Sequence, residues 1–273
     1  MDKTSFQLSN GVCIPCIGYG TCEVDCGETI QEALRTGYRL IDTASHYFNE
    51  AIIADAINNV SIRREEIFVT TKLWYSDMGG GNAVIKAFEE SLRQLNLSYV
   101  DLYLIHWPAA EPKYNDWKKT NRETWRAMEY IYNSQRAKAI GVSNFMCRHM
   151  DELLQTCSIK PMVNQIENHP GFYQKDIADF CKENNIQLMA WGPLGHGEIN
   201  SNEIKVIADK YNKTPAQICL RWNYQHGFIS IPKTNSVNRM KENLDFLDFV
   251  IDENDMNIVD NLPFCGGEGA IVK

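Results

Sequence analysis

Four residues whose side chains can exchange protons lie at or just beyond the ends of short apolar stretches: Asp42, Tyr47, Lys72 and His106. A tyrosine has an ordinary pKa near 10 and is a poor acid at neutral pH. A lysine ammonium favours the phenolate, so we expect Lys72 to lower the pKa of Tyr47 toward the working pH, with Asp42 keeping the lysine charged and oriented. A neutral His106 would hydrogen-bond a carbonyl oxygen. The set predicts hydride transfer from a cofactor to a carbonyl carbon, with Tyr47 protonating the oxygen.

Each of the four has a plainer interpretation when it is taken alone. Asp42 is of a type that often caps turns, Lys72 could extend its ammonium to solvent, and His106 could bond to backbone at a strand end. Tyr47 is one of twelve tyrosines and is the weakest signal by itself. The functional interpretation therefore depends on the elements that would bring the four side chains together.

Short apolar, β-branched runs alternate with longer runs of helical period along the chain. The predicted strands are 17–19, 39–41, 67–71, 101–105, 137–141, 162–166, 187–190 and 228–231. The predicted helices are 28–36, 50–58, 82–95, 122–133, 147–156, 175–184, a pair at 201–211 and 215–225, and 237–245. Thr214 followed by Pro215 predicts a helix start, and Gly37 predicts a helix end.

Eight alternating units predict a parallel sheet that closes into one α/β domain over 1–273, a (β/α)8 (TIM) barrel. Polar residues close nearly every predicted strand, and the carboxyl ends of barrel strands are where active sites form. An open, doubly wound sheet is disfavoured, because the first strand lacks the third glycine of a dinucleotide-binding turn. Residues 6–14, with Asn10-Gly11 at their centre, predict an added N-terminal β-hairpin with a type I′ turn that covers the opposite end of the barrel.

The composition excludes several partners. The net charge of −8 argues against nucleic acid or an anionic membrane as the main partner, and no apolar run approaches about 18 residues. With no targeting segment recognised, we expect a cytoplasmic protein. Cys13 and Cys16 form a C-x-x-C, but no second pair follows at a metal-site spacing. We therefore interpret the nine cysteines as reduced, apolar side chains and predict no metal.

Seven stretches, in this order, resemble the signature segments of the aldo-keto reductases. They are GYGT at 18–21, LIDTASHYFNE at 40–50, TKLW at 71–74, DLYLIHWP at 101–108, GVSNF at 141–145, NQIE at 164–167 and IPK at 231–233. The match runs from about residue 5 to about residue 262, and the ordered set is far more specific than any one piece. The chain is similar to compact microbial members of the family, such as 2,5-diketogluconate reductases and prostaglandin F synthases, which are often monomers.

The resemblance implies a catalytic tetrad of the same four residues and NADPH as cofactor. It places Ser143, Asn144 and Gln165 on the nicotinamide amide, and Trp191 against the nicotinamide ring. Further cofactor contacts would come from the loop at 192–195, from the end of the first two strands and from the segment after the last strand. These are Gly20, Thr21, Asp42, Gly192, Leu194, Gly195, Pro232, Lys233, Thr234, Asn235, Ser236, Arg239, Glu242 and Asn243. The cations and hydroxyls of the last segment suit a 2′-phosphate, which favours NADPH over NADH.

The chain also departs from the family pattern. Cys22 stands where many relatives have a tryptophan, which would open one wall of the substrate pocket. The remaining walls are predicted to be Tyr19, Trp74 and Trp107, together with the catalytic Tyr47 and His106. A short segment after Asn261 predicts an open pocket and a broad range of carbonyl substrates. Two alternatives stay open: a non-catalytic cofactor-binding protein of the same fold, and a barrel enzyme of unrelated chemistry, for which the chain lacks a glycine-rich phosphate site.

Overall fold

The computed structural model describes residues 4–195 and 201–265. Two short strands, β1 (Ser5–Gln7) and β2 (Cys13–Pro15), form an antiparallel hairpin. Eight further strands form one parallel sheet in sequential order. They are β3 (Tyr19–Gly20), β4 (Leu40–Asp42), β5 (Phe68–Leu73), β6 (Leu102–Ile105), β7 (Ile140–Ser143), β8 (Val163–Glu167), β9 (Gln187–Trp191) and β10 (Phe228–Ser230).

The sheet closes on itself between its first and last strands. Ile17 pairs in parallel with Ser230, and the backbone N–H of Gly18 donates to the Ser230 carbonyl at 2.8 Å. Such closure removes both sheet edges. Because side chains fill the interior and helices cover the outside, the strands are buried on both faces and read as continuous apolar runs. The predicted (β/α)8 barrel with an N-terminal hairpin is confirmed.

Helices follow the strands and cover the outside of the barrel. They are α1 (Gly27–Thr36), α2 (Glu50–Asn58), α3 (Gly81–Leu95), α4 (Trp117–Asn133), α5 (Cys147–Leu154), α6 (Lys175–Glu183), α7 (Asn202–Tyr211), α8 (Pro215–Gln225), α9 (Val237–Leu244) and α10 (Glu253–Asp260). Thr214 caps α8 as predicted, and Gly37, with a φ of 121°, ends α1. Within the described residues, no helix is both long and apolar enough to span a membrane.

Several strands extend further toward their carboxyl ends than the apolar runs predicted. β5 continues through Lys72, and β7 continues through Ser143. The predicted runs end at Thr71 and Gly141, whereas the backbone ladder continues for two more residues in each strand. The consequence is that Asp42 and Lys72 lie within hydrogen-bonded strands and are rigidly placed.

The hairpin turn differs from the predicted type I′. Gly11 has a φ of 89°, but Asn10 is not among the described residues with positive φ, as type I′ requires. Gly11 N–H donates to the Leu8 carbonyl at 2.9 Å, and Leu8 N–H donates to the Val12 carbonyl at 2.8 Å, which defines a three-residue loop ending in a left-handed glycine. The Asn10 amide donates to the Lys138 carbonyl at 2.9 Å, just before β7. The hairpin therefore lies at the end where the strands begin, as predicted.

Candidate active site

A buried ion pair joins the ends of β4 and β5. The Lys72 ammonium donates to Asp42 Oδ1 at 2.5 Å, to the Thr43 carbonyl at 3.0 Å and to the Tyr47 hydroxyl oxygen at 3.5 Å. Lys72 is fully buried, so its charge is tolerable only because all three of its protons have acceptors. Burial lowers the pKa of Lys72, but Asp42 and Tyr47 more than offset this and leave it above its usual range. Lys72 is therefore an ammonium at neutral pH.

Tyr47 is held by a short 3₁₀ turn, Ser45–Tyr47, that is anchored on the neighbouring strand at both sides. Before it, the Ser45 hydroxyl donates to the Lys72 carbonyl at 2.9 Å. After it, the Thr71 hydroxyl donates to the buried Glu50 carboxylate at 2.6 Å. These two bonds fix the turn against β5, so the position of Tyr47 relative to Lys72 is set by two consecutive residues of one strand, Thr71 and Lys72.

The pKa of Tyr47 is raised, not lowered, so the expected net direction was wrong. Burial is the largest influence and raises this pKa; Lys72 lowers it, as expected, but by less. Tyr47 is consequently a protonated phenol at neutral pH. Since an ammonium can only donate, the Lys72–Tyr47 bond leaves the hydroxyl proton of Tyr47 available to another acceptor.

His106 follows β6 and is neutral, as predicted. Burial, the Lys72 charge and His46 hold its pKa well below the usual 6.5. Its ring lies edge-on to Tyr47, with 5.5 Å between ring centroids. Nδ1 is buried and has no hydrogen-bond partner in the described part of the chain. Because unpaired buried N–H groups are rarer than unpaired acceptors, this favours the tautomer that carries its proton on Nε2.

One cavity of about 540 Å³ opens at the carboxyl ends of the strands and contains most of the predicted site. Its predicted lining residues are Gly20, Thr21, Cys22, Asp42, Tyr47, Trp74, His106, Trp107, Ser143, Asn144, Gln165, Trp191, Gly192, Leu194, Pro232 and Lys233. Pro193, within the predicted loop at 192–195, lines it too, whereas Glu23, His46 and Ile231 line it and were not predicted. His46 lies flat on Trp74, with centroids 3.6 Å apart. Its position beside Tyr47 in the same turn was the signal that could have identified it.

Tyr19 is not a wall of this cavity, and that prediction was wrong. Its side chain is fully buried in the core, where its ring packs edge-on against Tyr38 at 5.7 Å. Its hydroxyl donates to the Thr234 carbonyl at 2.9 Å. Burial raises the pKa of Tyr19 to about 12. The residue ties β3 to the segment after β10 and does not face substrate.

A chain of hydrogen bonds connects the residues predicted to hold the nicotinamide. The Trp191 indole donates to Asn144 Oδ1 at 2.9 Å, and the Asn144 amide donates to the His106 carbonyl at 3.0 Å. The Ser143 hydroxyl donates to the Gln165 carbonyl at 2.9 Å, and the Gln165 amide donates to Asp42 Oδ2 at 2.7 Å. Both branches end on the tetrad. The acceptor atoms of Asn144 and Ser143 each keep a lone pair for a further donor, such as a carboxamide.

The outer end of the cavity carries exposed groups. Lys233 forms an ion pair with Glu23 at 2.8 Å. In the loop after β9, Gly192 and Gly195 have φ of 58° and 57°, and of these two Gly192 lines the cavity. The described lining includes Lys233 but no residue from 234 to 243.

Four predicted cofactor residues of that following segment belong to α9 or to its cap. Ser236 caps α9, and Arg239 beside it is exposed. Glu242 accepts a bond from the Thr214 hydroxyl at 2.7 Å, and Asn243 is buried.

Amide and hydroxyl groups at one end of the cavity, an indole in the middle and a cation at the other end fit a nicotinamide dinucleotide.

Comparisons with known proteins identify the family of this chain. The aldo/keto reductase family model matches residues 21–263. The glyoxal reductase of Bacillus subtilis is 45% identical over 265 residues, which cover 95% of this chain and 93% of that protein. An aldo/keto reductase structure from Brucella melitensis is 41% identical with a TM-score of 0.88, covering 94% of this chain and 98% of that one. A Bombyx mori aldo-keto reductase solved in complex with NADP is 33% identical with a TM-score of 0.86, covering 95% and 92%. The chain therefore belongs to the aldo/keto reductase family.

Proposed function

We propose that this protein reduces aldehydes and ketones to alcohols with NADPH, and that Tyr47 is the proton donor. The observation that carries the proposal is the Lys72 ammonium donating to the Tyr47 oxygen while Tyr47 and His106 line the same cavity. Burial keeps the Tyr47 phenol protonated at neutral pH, and the fixed Lys72 cation offsets part of what burial costs its anion.

The residues of the chain divide the work among binding, proton transfer and charge stabilisation. When bound, NADPH supplies the hydride. Neutral His106 donates a hydrogen bond to the carbonyl oxygen and orients it, and Tyr47 gives that oxygen its hydroxyl proton as negative charge develops. Lys72 stabilises the tyrosinate that remains, and Asp42 keeps Lys72 charged. Tyr47 then regains a proton from solvent, which completes the balance of one hydride and one proton per carbonyl.

The cofactor would be held by residues along the full length of the cavity. Ser143, Asn144 and Gln165 would bind the carboxamide, and Trp191 offers its face to the ring. The loop from Gly192 through Leu194 to Gly195 would pass the pyrophosphate. Lys233 and Arg239 would bind the 2′-phosphate, with the neighbouring polar groups beside the adenosine; these are Thr234, Asn235, Ser236, Glu242 and Asn243. The monomeric state remains a prediction.

The test follows NADPH absorbance with an aromatic aldehyde and with glyoxal, which the name of the Bacillus subtilis relative suggests. Tyr47→Phe should lower kcat by at least about a hundredfold, since a positioned acid contributes on the order of 10²–10⁴-fold. Its cofactor affinity, measured by titration, should change little. Tyr130→Phe removes an exposed hydroxyl and should leave both unchanged.

The same experiment separates the alternatives. Wild-type protein that binds NADPH but turns over no carbonyl would favour the non-catalytic cofactor-binding alternative. Protein that neither binds NADPH nor reduces a carbonyl would contradict the proposal and favour unrelated chemistry.

A further inference from the structure

Glu23 forms an ion pair with Lys233, the cation at the outer end of the cavity. Its carboxylate lies 2.8 Å from the Lys233 ammonium, and both residues line the cavity. The Glu23 side chain is 83% exposed, and that of Lys233 is 37% exposed. The pair is therefore at the mouth, where solvent and ligand can both reach it.

The charges of the cavity make this pair important for an anion that enters. Asp42 is neutralised by buried Lys72, and His106 is uncharged. Among the described lining residues, Lys233 is the one lysine or arginine that could bind a phosphate. Its ammonium is paired with Glu23 in this structure. A phosphate that binds Lys233 must displace a carboxylate.

The carboxylate is carried on an anchored turn. Val24 N–H donates to the Thr21 carbonyl at 3.0 Å, and Glu23 has a φ of 58°, a conformation that glycine or asparagine usually supplies in such turns. The buried Asn49 amide donates to the Thr21 carbonyl at 2.7 Å and to the Val24 carbonyl at 3.0 Å. The turn cannot swing away freely, so a displaced Glu23 stays near the mouth of the cavity and repels an incoming phosphate.

We propose that Glu23 competes with the 2′-phosphate of NADPH for Lys233 and thereby sets the affinity of the protein for phosphorylated cofactor. This inference rests on the proposed function, which assigns Lys233 to that phosphate. It makes Glu23 a determinant of cofactor selectivity that works by competition and not by contact with substrate. Removal of its charge should tighten NADPH binding and leave NADH binding almost unchanged.

The test is a titration of the protein with NADPH and with NADH, followed by quenching of tryptophan fluorescence and by calorimetry. Glu23→Gln should lower the Kd of NADPH about threefold to fivefold at low ionic strength, the size of effect expected of an exposed charge pair. The gain should shrink as salt is added, because exposed charges are screened. Glu28→Gln removes the same charge from an exposed residue that does not line the cavity, and should change neither Kd by more than about twofold.

A double-mutant cycle makes the test specific to the pair. In a Lys233→Met background, Glu23→Gln should no longer tighten NADPH binding, because there is no cation left to release. An unchanged or higher Kd of NADPH in Glu23→Gln would overturn the inference, as would an equal gain for NADH. Wild-type protein with no measurable affinity for NADPH would instead contradict the proposed function itself.

Discussion

A lysine–carboxylate pair stands at each end of the cavity, and the two pairs differ in burial and in the hydrogen bonds around them. Asp42 and Lys72 are buried and share their remaining hydrogen bonds with Thr43, Tyr47 and Gln165. Glu23 and Lys233 are exposed and have no such surrounding network among the described contacts. An exposed pair contributes about 0–1 kcal/mol, whereas breaking a buried pair costs about 3–5 kcal/mol. The inner pair therefore fixes chemistry, whereas a ligand can replace one member of the outer pair.

The largest effect should come from breaking the inner pair. Lys72→Met leaves the Asp42 carboxylate buried and uncompensated, which costs about 3–5 kcal/mol of unfolding free energy. It also removes the stabilisation of the Tyr47 anion, so kcat/KM should fall by on the order of a thousandfold. Urea unfolding and steady-state kinetics measure the two losses. Lys175→Met breaks an exposed pair with Asp179 and should cost less than about 1 kcal/mol; equal losses for the two variants would refute the contrast.

A smaller effect is expected from loosening the turn that carries Tyr47. Thr71→Val keeps the shape of the side chain but removes the Thr71 hydroxyl as a donor to the buried Glu50 carboxyl, which should cost about 1–3 kcal/mol of unfolding free energy. A displaced Tyr47 should lower kcat about tenfold while the Kd of NADPH is unchanged.

Two neighbouring substitutions are controls for that result. Thr71→Ser restores the hydroxyl and should restore kcat. Thr70→Val makes the same chemical change one residue earlier, at a buried hydroxyl with no partner among the described residues, and should be nearly neutral. Parallel losses in Thr70→Val and Thr71→Val would mean that general packing, and not the bond to Glu50, is responsible.

At the outer end, Arg239→Ala should raise the Kd of NADPH about fivefold at low salt and leave that of NADH within about twofold. Arg239 is exposed at the start of α9, where its charge is screened but reachable. Lys241→Ala removes an exposed cation from the same helix and is the matched control. An unchanged preference for NADPH over NADH in Arg239→Ala would contradict the assignment of this residue to the 2′-phosphate.

The smallest change should be seen on varying pH. The acid form of Tyr47 is lost only as pH rises through a pKa that burial holds above 10.0, and the neutral form of His106 is lost only as pH falls well below 6.5. For reduction, kcat/KM should therefore vary by less than about twofold between pH 6.5 and 9. A pH–rate profile at constant ionic strength measures this. A titration between pH 7 and 9 would show that the field of Lys72, and not burial, dominates Tyr47.

The predictable part of the molecule is the part fixed by periodicity. Apolar runs and their spacing predicted the eight strands of the barrel, and the convergence of strand ends predicted that Asp42, Tyr47, Lys72 and His106 share one place. α10 was missed, because among its residues only Asp255 and Val259 are buried and the segment has no clear apolar face. Helical period cannot be detected in a helix that packs through so few residues.

What could not be predicted depends on side-chain direction and on competing energies. β3 has two residues, too few for an alternation that would show Tyr19 facing the core. The net shift of the Tyr47 pKa is a difference between burial and the Lys72 charge, and a sequence gives the sign of each but not their sizes. Glu23 was missed because its role depends on contact with a residue 210 positions away.

That separation has a consequence for folding. Glu23 follows the first barrel strand and Lys233 follows the last, and the two strands meet along the line where Ile17 pairs with Ser230. Contacts between such distant residues form late and slow a folding reaction, since the whole intervening chain must be ordered before they are gained. A dinucleotide bound from Gly20 to Lys233 spans this closing line. Binding of the dinucleotide should therefore stabilise the closed barrel against opening. We expect the protein to unfold more slowly when the cofactor is bound.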